Sequence, residues 1–507
     1  MADTVSTVGG RALGAKGTGR GAAGLVRTDA RLAAILSAFA VVLFGAFCFY
    51  AFVLPQTPAR LARASVALFD DFALWSWVDG LLPVPRGEWG VATSLGFWSL
   101  TVFALYGIAL YATWGRRAGR RLLALAVGTA VLFSLVSALA LPNLNTDIYN
   151  YIVTGRVAAV HDANPYEVAP DRFPSDPVYP YAGHRFTAYP DVKLPAWMLI
   201  SVPLAKVAGD DPVTNLLVYR FAFFAFSVAC LVLVAAIMTR LDPRYALTAV
   251  IAWGWNPIVV LVGTSKVDTV MVFFLLLGIL LLVAARARSA AVALVLSALV
   301  KLITLPFIAA YWLSEVARRR WRRVLVATAL MAATVVAVYV PFTRSVDLPF
   351  DHLGLIERRS GGGDPVDGEP SAEGPARLLL AVGYGFLILW VGLTQGDTIR
   401  KLLRGWGLLA IYFALFLAPL GLSWYLLVPI AIAAVAVDWR LLLVTGLVSF
   451  SSFLVYAWDS MSTEEHPLPD VFAISRGTVY LGAVIVGLLA VLALLVRRGN
   501  RRAVGSA

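Results

Sequence analysis

Two acidic-basic constellations in this chain have the residue types needed for group transfer. The first is Asp147, at the head of DIYNYIVTGRVAAVHDANPY. A carboxylate fixed at a helix start can take a proton from an attacking hydroxyl. The second is Lys266-Val267-Asp268, where an ammonium could hold a departing phosphate. Further phosphate candidates are Arg156, Arg185 beside His184, Lys193 and the pair Arg358-Arg359. Tyr149, Tyr151 and Tyr189 could stack on a flat polar substrate, and Trp424-Tyr425 could line its pocket. Asp70 and Asp71 in FDDFALWSWVDG are the alternative catalytic acids. No Asp-x-Asp occurs, so the acidic clamp that carries a metal-bound nucleotide is missing. Neither a metal nor a cofactor is expected.

Each residue also has a plainer reading. Asp147 can be a helix cap after Asn145-Thr146, and Lys266 can be tied in an ion pair with Asp268. Lys193 can snorkel, and the aromatic residues can belong to an interfacial belt. His161 could orient the helix of Asp147 or do nothing in particular.

These residues sit in a chain built for lipid. Of 507 residues, 60% are hydrophobic and 14% charged, and mean hydropathy is +0.79. That excludes a soluble globule. Long apolar runs read as helices, because open strands cannot satisfy their backbone in hydrocarbon. Crossings are predicted at 31–54, 90–113, 121–141, 213–238, 245–262, 267–285, 322–342, 376–394, 405–420, 424–437, 440–456 and 477–496. Residues 194–208 are too short to cross alone. Residues 289–312 begin and end beside arginines, so they read as a broken or re-entrant pair around Lys301 and Pro306. The expected fold is an all-α integral membrane protein of twelve to fourteen transmembrane helices, with interfacial helices in the outer loops. The first helix follows a basic tail and has no cleavage site after it, so it is expected to be retained. Cys48 and Cys230 fall inside separate spans and form no disulfide framework.

Charge sets the expected topology. The net +12 lies in short basic clusters between spans, which is a membrane pattern and argues against a nucleic-acid partner. Placed inside by the positive-inside rule, these clusters put both termini in the cytoplasm. Only six of the 30 acidic residues then fall inside, and all four histidines fall outside. The organisation is a basic tail at 1–30, a membrane domain at 31–499 and a tail at 500–507. Its outer loops are 55–89, 142–193, 343–375 and 457–476. The third carries SGGGDPVDGEPSAEG and reads as a mobile flap. Residues 142–193 hold six tyrosines and six acidic residues, and predict an amphipathic helix over about 148–160 lying along the outer interface.

The ordered set of motifs resembles a family. DIYNYIVTGRVAAVHDANPY, with its Asp-x-Tyr-x-Tyr element, Gly and Asn-Pro-Tyr turn, is similar to the first catalytic loop of GT-C glycosyltransferases. It resembles in particular the bacterial polyprenol-phosphomannose-dependent α-(1→6)-mannosyltransferases. WNPIVVLVGTSKVDTVM (255–271), ALVKLITLP (298–306) and LAPLGLSWYLLVP (417–429) resemble that group's later helices in the same order. The chain has Lys266-Val267-Asp268 where the group often has His-Asn-Asp. The resemblance implies a GT-C-type bundle in the cell membrane and transfer of a hexose, mannose favoured, from a polyprenyl-monophosphate donor. The implied acceptor is a cell-envelope glycolipid or polysaccharide on the outer face. Direct displacement inverts the anomeric carbon without a metal. Asp147 would then be the base, with Lys266 and an outer-loop arginine holding the phosphate. The alternative reading is a transporter or flippase of a lipid-linked or sugar substrate, whose polar groups belong at mid-membrane.

Overall fold

The computed structural model describes residues 18–56, 85, 87–140, 147–182, 187–342, 375–418 and 422–461. The crossing expected at 477–496, the acids Asp70 and Asp71, the pairs His184-Arg185 and Arg358-Arg359, and the proposed flap lie outside them. So do most of the loops expected at 55–89, 343–375 and 457–476.

Among the described residues every regular element is helical. The α-helices are α1 (Thr18–Cys48), α2 (Gly87–Thr113), α3 (Arg120–Leu139), α4 (Asp147–Ala159), α5 (Pro195–Ala208), α6 (Pro212–Leu241), α7 (Ala246–Gly254) and α8 (Pro257–Leu261). They continue as α9 (Asp268–Val283), α10 (Ala287–Val300), α11 (Leu305–Ala317), α12 (Trp321–Tyr339), α13 (Pro375–Thr394), α14 (Ile399–Tyr412), α15 (Leu427–Ala436) and α16 (Trp439–Met461). Among the described residues six helices are long and apolar enough to cross a membrane: Asp29–Val53, Trp89–Thr113, Arg120–Leu139, Pro212–Leu241, Trp321–Phe342 and Trp439–Ala457. A seventh span forms if the pair Pro243–Gly254 and Pro257–Ser265, bent by 48°, counts as one. The protein is a multi-pass, all-α integral membrane protein.

Several predicted crossings are shorter than a full span. Asp268–Val283, Leu378–Thr394 and Ser423–Ala436 are apolar helices of 10–17 residues. Helix α15 is buried along its whole length, and α9 is buried over its first turns.

The breaks have local causes. Asn256 caps α8, its side chain accepting from the Ile258 N–H, and Pro257 takes the first helical position. The Asn256 amide also donates to the Tyr106 hydroxyl at 3.2 Å, which fixes the bend against α2. Lys301 is extended between α10 and α11, so the pair forms a V with the lysine at its apex. That matches the broken pair read from the sequence.

Contacts among the turns sort the bundle into two ends. Trp114 packs on Tyr245 and Trp439, Arg400 and Arg244 both reach Asp242, Arg318 reaches Asp397, and Arg404 reaches Asp438. The described basic clusters therefore gather at one end. Helix α9 leaves the opposite end at Asp268, and its 16 residues span about 24 Å to the arginine turn after Val283. Helix α10 returns over a similar distance. The hairpin closes tightly because Gly278 lies against Leu294, where a Cβ would meet the leucine side chain at 2.7 Å.

Candidate active site at the start of helix α4

Helix α4 starts at Asp147, near the sequence expectation, but it does not lie on a surface. Every residue from Ile148 to Val157 is buried. Ile148, Tyr151, Ile152 and Gly155 do share a face, and that face packs on α5 and α6. Gly155 is required there, since a Cβ would collide with the Tyr219 and Ser201 hydroxyls. Ser201 and Tyr219 bond to each other at 2.8 Å, and Ser201 donates to the Tyr151 carbonyl at 3.2 Å. Helix α4 is also tied to the chain that follows it: Tyr149 stacks on Tyr181, and Arg156 grips Asp176. Helix α4 is thus covered by protein on both faces. An amphipathic pattern shows one apolar face and gives no sign that a Pro/Tyr-rich loop will cover the other.

The Asp147 carboxylate meets the Lys266 ammonium at 2.5 Å. Lys266 is fully buried and lies 3.3 Å from the centre of the Trp424 ring. Beside it, Lys301 donates to Asp268 at 2.9 Å and stands 4.4 Å from the Tyr425 ring centre. Lys193 completes the group, 3.4 Å from Asp191 and 5.1 Å from the Tyr151 ring centre. Three lysines and three aspartates thus gather under aromatic faces. Cation–π contact replaces part of the hydration that burial removes from an ammonium.

The charges are not equally accessible. The side chains of Lys266 and Asp268 are 0% and 2% exposed, whereas Asp147 and Lys301 show 29% and 28%. One acid and one base therefore face outward, each held by a buried counter-ion. Burial pushes the Asp147 carboxyl up, but Lys266, by charge and hydrogen bond, and then Lys193 and Lys301, outweigh it. The net shift is downward, below the ordinary carboxylate value. Asp147 is ionised at neutral pH and able to accept a proton.

The structure redistributes the roles expected from sequence. The ion pair anticipated between Lys266 and Asp268 does not form: each takes a different partner. Lys193, Tyr151, Trp424 and Tyr425 stand in the cluster. Arg156 does not. It is buried against both Asp176 oxygens at 2.9 Å, against Asp210 at 2.8 Å and against the Gly209 carbonyl, which makes it a fastener between the loop and α6. His161 serves the same fastening, bonding Asp176 at 2.8 Å and stacking on Phe173 at 4.0 Å. Tyr189 is half exposed and makes no part of the lysine cluster. Lys301 is a member of the cluster that the sequence did not single out as a site residue. Its signal was an ionisable side chain inside the apolar run SALVKLITLP.

Residues 72–314 match the MptA_B family, described as Alpha-(1->6)-mannopyranosyltransferase, N-terminal domain. The match falls just short of half the chain and contains all six lysines and aspartates of the cluster. It covers the first three of the four motifs that carry the resemblance, and 417–429 lies beyond it. Together with the membrane bundle it defines the class, a multi-pass membrane glycosyltransferase. Within that class the chain is similar to the α-(1→6)-mannosyltransferases. No curated protein and no solved structure matches the chain.

Proposed function

We propose that the Asp147 end of the bundle transfers mannose from a polyprenyl-monophosphate donor to a hydroxyl of a cell-envelope glycolipid or polysaccharide, on the outer face of the cell membrane. The reading rests chiefly on one observation, the Asp147–Lys266 contact standing beside Lys301–Asp268. Both pairs lie at the bundle end away from the arginine turns, where the positive-inside rule puts the exterior. In the proposed step Asp147 takes the proton of the acceptor hydroxyl. The acceptor oxygen bonds the anomeric carbon as the bond from that carbon to the phosphate oxygen breaks. The electron pair leaves on polyprenyl monophosphate, and the configuration inverts.

Charge develops on the leaving phosphate, so fixed cations near it lower the barrier. Lys301 and Lys193 take that task, because their side chains are partly exposed. Lys266 is enclosed by Asp147 and Trp424 and instead orients the base. Buried counter-ions hold both working charges in place before substrate arrives, the kind of preorganisation that favours transfer.

The purified protein in lipid nanodiscs, given radiolabelled polyprenyl-phosphate mannose and a short α-mannoside, is expected to form a labelled, longer glycoside. Label crossing the bilayer of proteoliposomes with no new linkage would overturn this reading in favour of transport.

A further inference from the structure

The opposite end of the α9–α10 hairpin holds a cavity of about 1010 Å³ that plays no part in the proposed reaction. It is lined by seven arginines between 286 and 323, with only Glu315 and Asp397 as acids. Those acids are already engaged. Glu315 contacts Arg320 at 3.1 Å and Arg318 and Arg323 at 3.7 Å, and Asp397 bonds Lys401 at 2.8 Å. Arg286, Arg288, Arg319 and Arg322 make no side-chain ion pair among the described residues.

The backbone adds to the positive field. Helix α9 ends with Ala285 N–H bonded to the Leu282 carbonyl and Arg286 N–H to Leu281. Helix α11 ends the same way, Arg319 N–H to Val316 and Arg320 N–H to Glu315. Both turns pass through the left-handed region, at Ala285 (φ 58°) and Arg319 (φ 56°). Each releases the chain at once into a new helix, so α10 and α12 begin at the cavity. Arginines crowd their first turns, where the helix dipole is already positive and favours anions. The positive-inside rule accounts for basic turns, but it does not require them to converge on one cavity with four charges unpaired among the described residues.

The cavity also opens beside exposed apolar side chains. Trp321, which lines it, is 56% exposed, and Leu325 one turn along α12 is 68% exposed. A headgroup in the cavity would leave its chains along this apolar face.

We propose that this cavity binds the phosphate headgroup of an anionic phospholipid in the leaflet opposite the transfer site. The phosphate is held by the guanidinium groups of Arg286, Arg288 and Arg322 and by the open N–H groups of α10 and α12. The glycerol backbone lies against Trp321, and the acyl chains run along α12.

Native mass spectrometry of the full-length protein in mild detergent tests this, with phosphatidylglycerol, phosphatidylcholine and glycerol 3-phosphate as probes. The Arg286→Gln/Arg288→Gln/Arg322→Gln variant is expected to bind phosphatidylglycerol at least about tenfold more weakly. Arg116→Gln/Arg117→Gln/Arg120→Gln removes the same charge from a basic turn outside the cavity lining, and is expected to change binding less than about threefold. Should the triple variant fail to fold, Arg288→Gln alone is expected to show a smaller loss in the same direction. Equal binding by phosphatidylcholine, unchanged affinity in the cavity variants, or an equal loss in the control would overturn the proposal. Displacement of the lipid by equimolar glycerol 3-phosphate would also overturn it, making the cavity a site for soluble anions.

Discussion

The two ends of the α9–α10 hairpin are made from the same charged residue classes and behave in opposite ways. At one end Asp268 and Lys301 close on each other at 2.9 Å, with Asp147 and Lys266 beside them under Trp424 and Tyr425. Charges there balance, and each exposed group has a buried partner. At the other end arginines outnumber acids, and several line a cavity with no counter-ion among the described residues. A balanced, half-buried cluster can hold its geometry while a proton moves through it. An unbalanced one attracts whatever anion reaches it. Lysine suits the first, because a compact ammonium can be enclosed by one carboxylate and one ring, while arginine suits a broad, wet phosphate surface.

The largest effect should come from breaking the enclosed pair. Lys266→Met leaves Asp147 without its main cation, and is expected to cost about 3–5 kcal/mol of stability and to abolish transfer. Adding Asp147→Asn should restore much of the stability and none of the activity, as read by thermal unfolding in detergent beside a label-transfer assay. Lys301→Met comes next, with transfer falling roughly 10²–10³-fold in kcat/KM for the donor lipid. If the ends have the separate duties described, removing Arg286, Arg288 and Arg322 together leaves that constant within about threefold.

Arg156→Met sharpens the boundary of the site. It takes the guanidinium from Asp176, leaving that acid to His161, and loosens the loop, so about 3 kcal/mol of stability should be lost. Folded protein at low temperature should keep donor affinity near that of the wild type, because Arg156 reaches no member of the lysine cluster. The smallest effect is a gain. Glycine in place of Arg319, at its left-handed position, should stabilise the protein by about 1 kcal/mol, measurable as a rise in Tm.

The sequence made parts of this readable, for physical reasons. Apolar runs marked the helices, and Lys301 with Pro306 marked a break, because lipid and proline leave the backbone few choices. Asp147, Lys266, Trp424 and Tyr425 stood out as polar or amphipathic groups at the ends of apolar segments, and all four meet in space. Partner choice was hidden. Lys266 lies two positions from Asp268 yet pairs with Asp147, 119 positions away, because Lys301 arrives from the apex of α10–α11 to take Asp268. Arg156 looked available for phosphate because its partners Asp176 and Asp210 lie 20 and 54 residues further on. Spacing along one helix reports a face, whereas a side chain's partners depend on which loop folds back over it.

Transfer by the Asp147→Asn variant tests the central claim most directly. With radiolabelled polyprenyl-phosphate mannose and purified, folded protein in nanodiscs, the rate is expected to fall about 10³-fold or more, while the donor lipid still binds. A variant that transfers mannose within about threefold of the wild-type rate would contradict the account, since the carboxylate held against Lys266 would then not be the base.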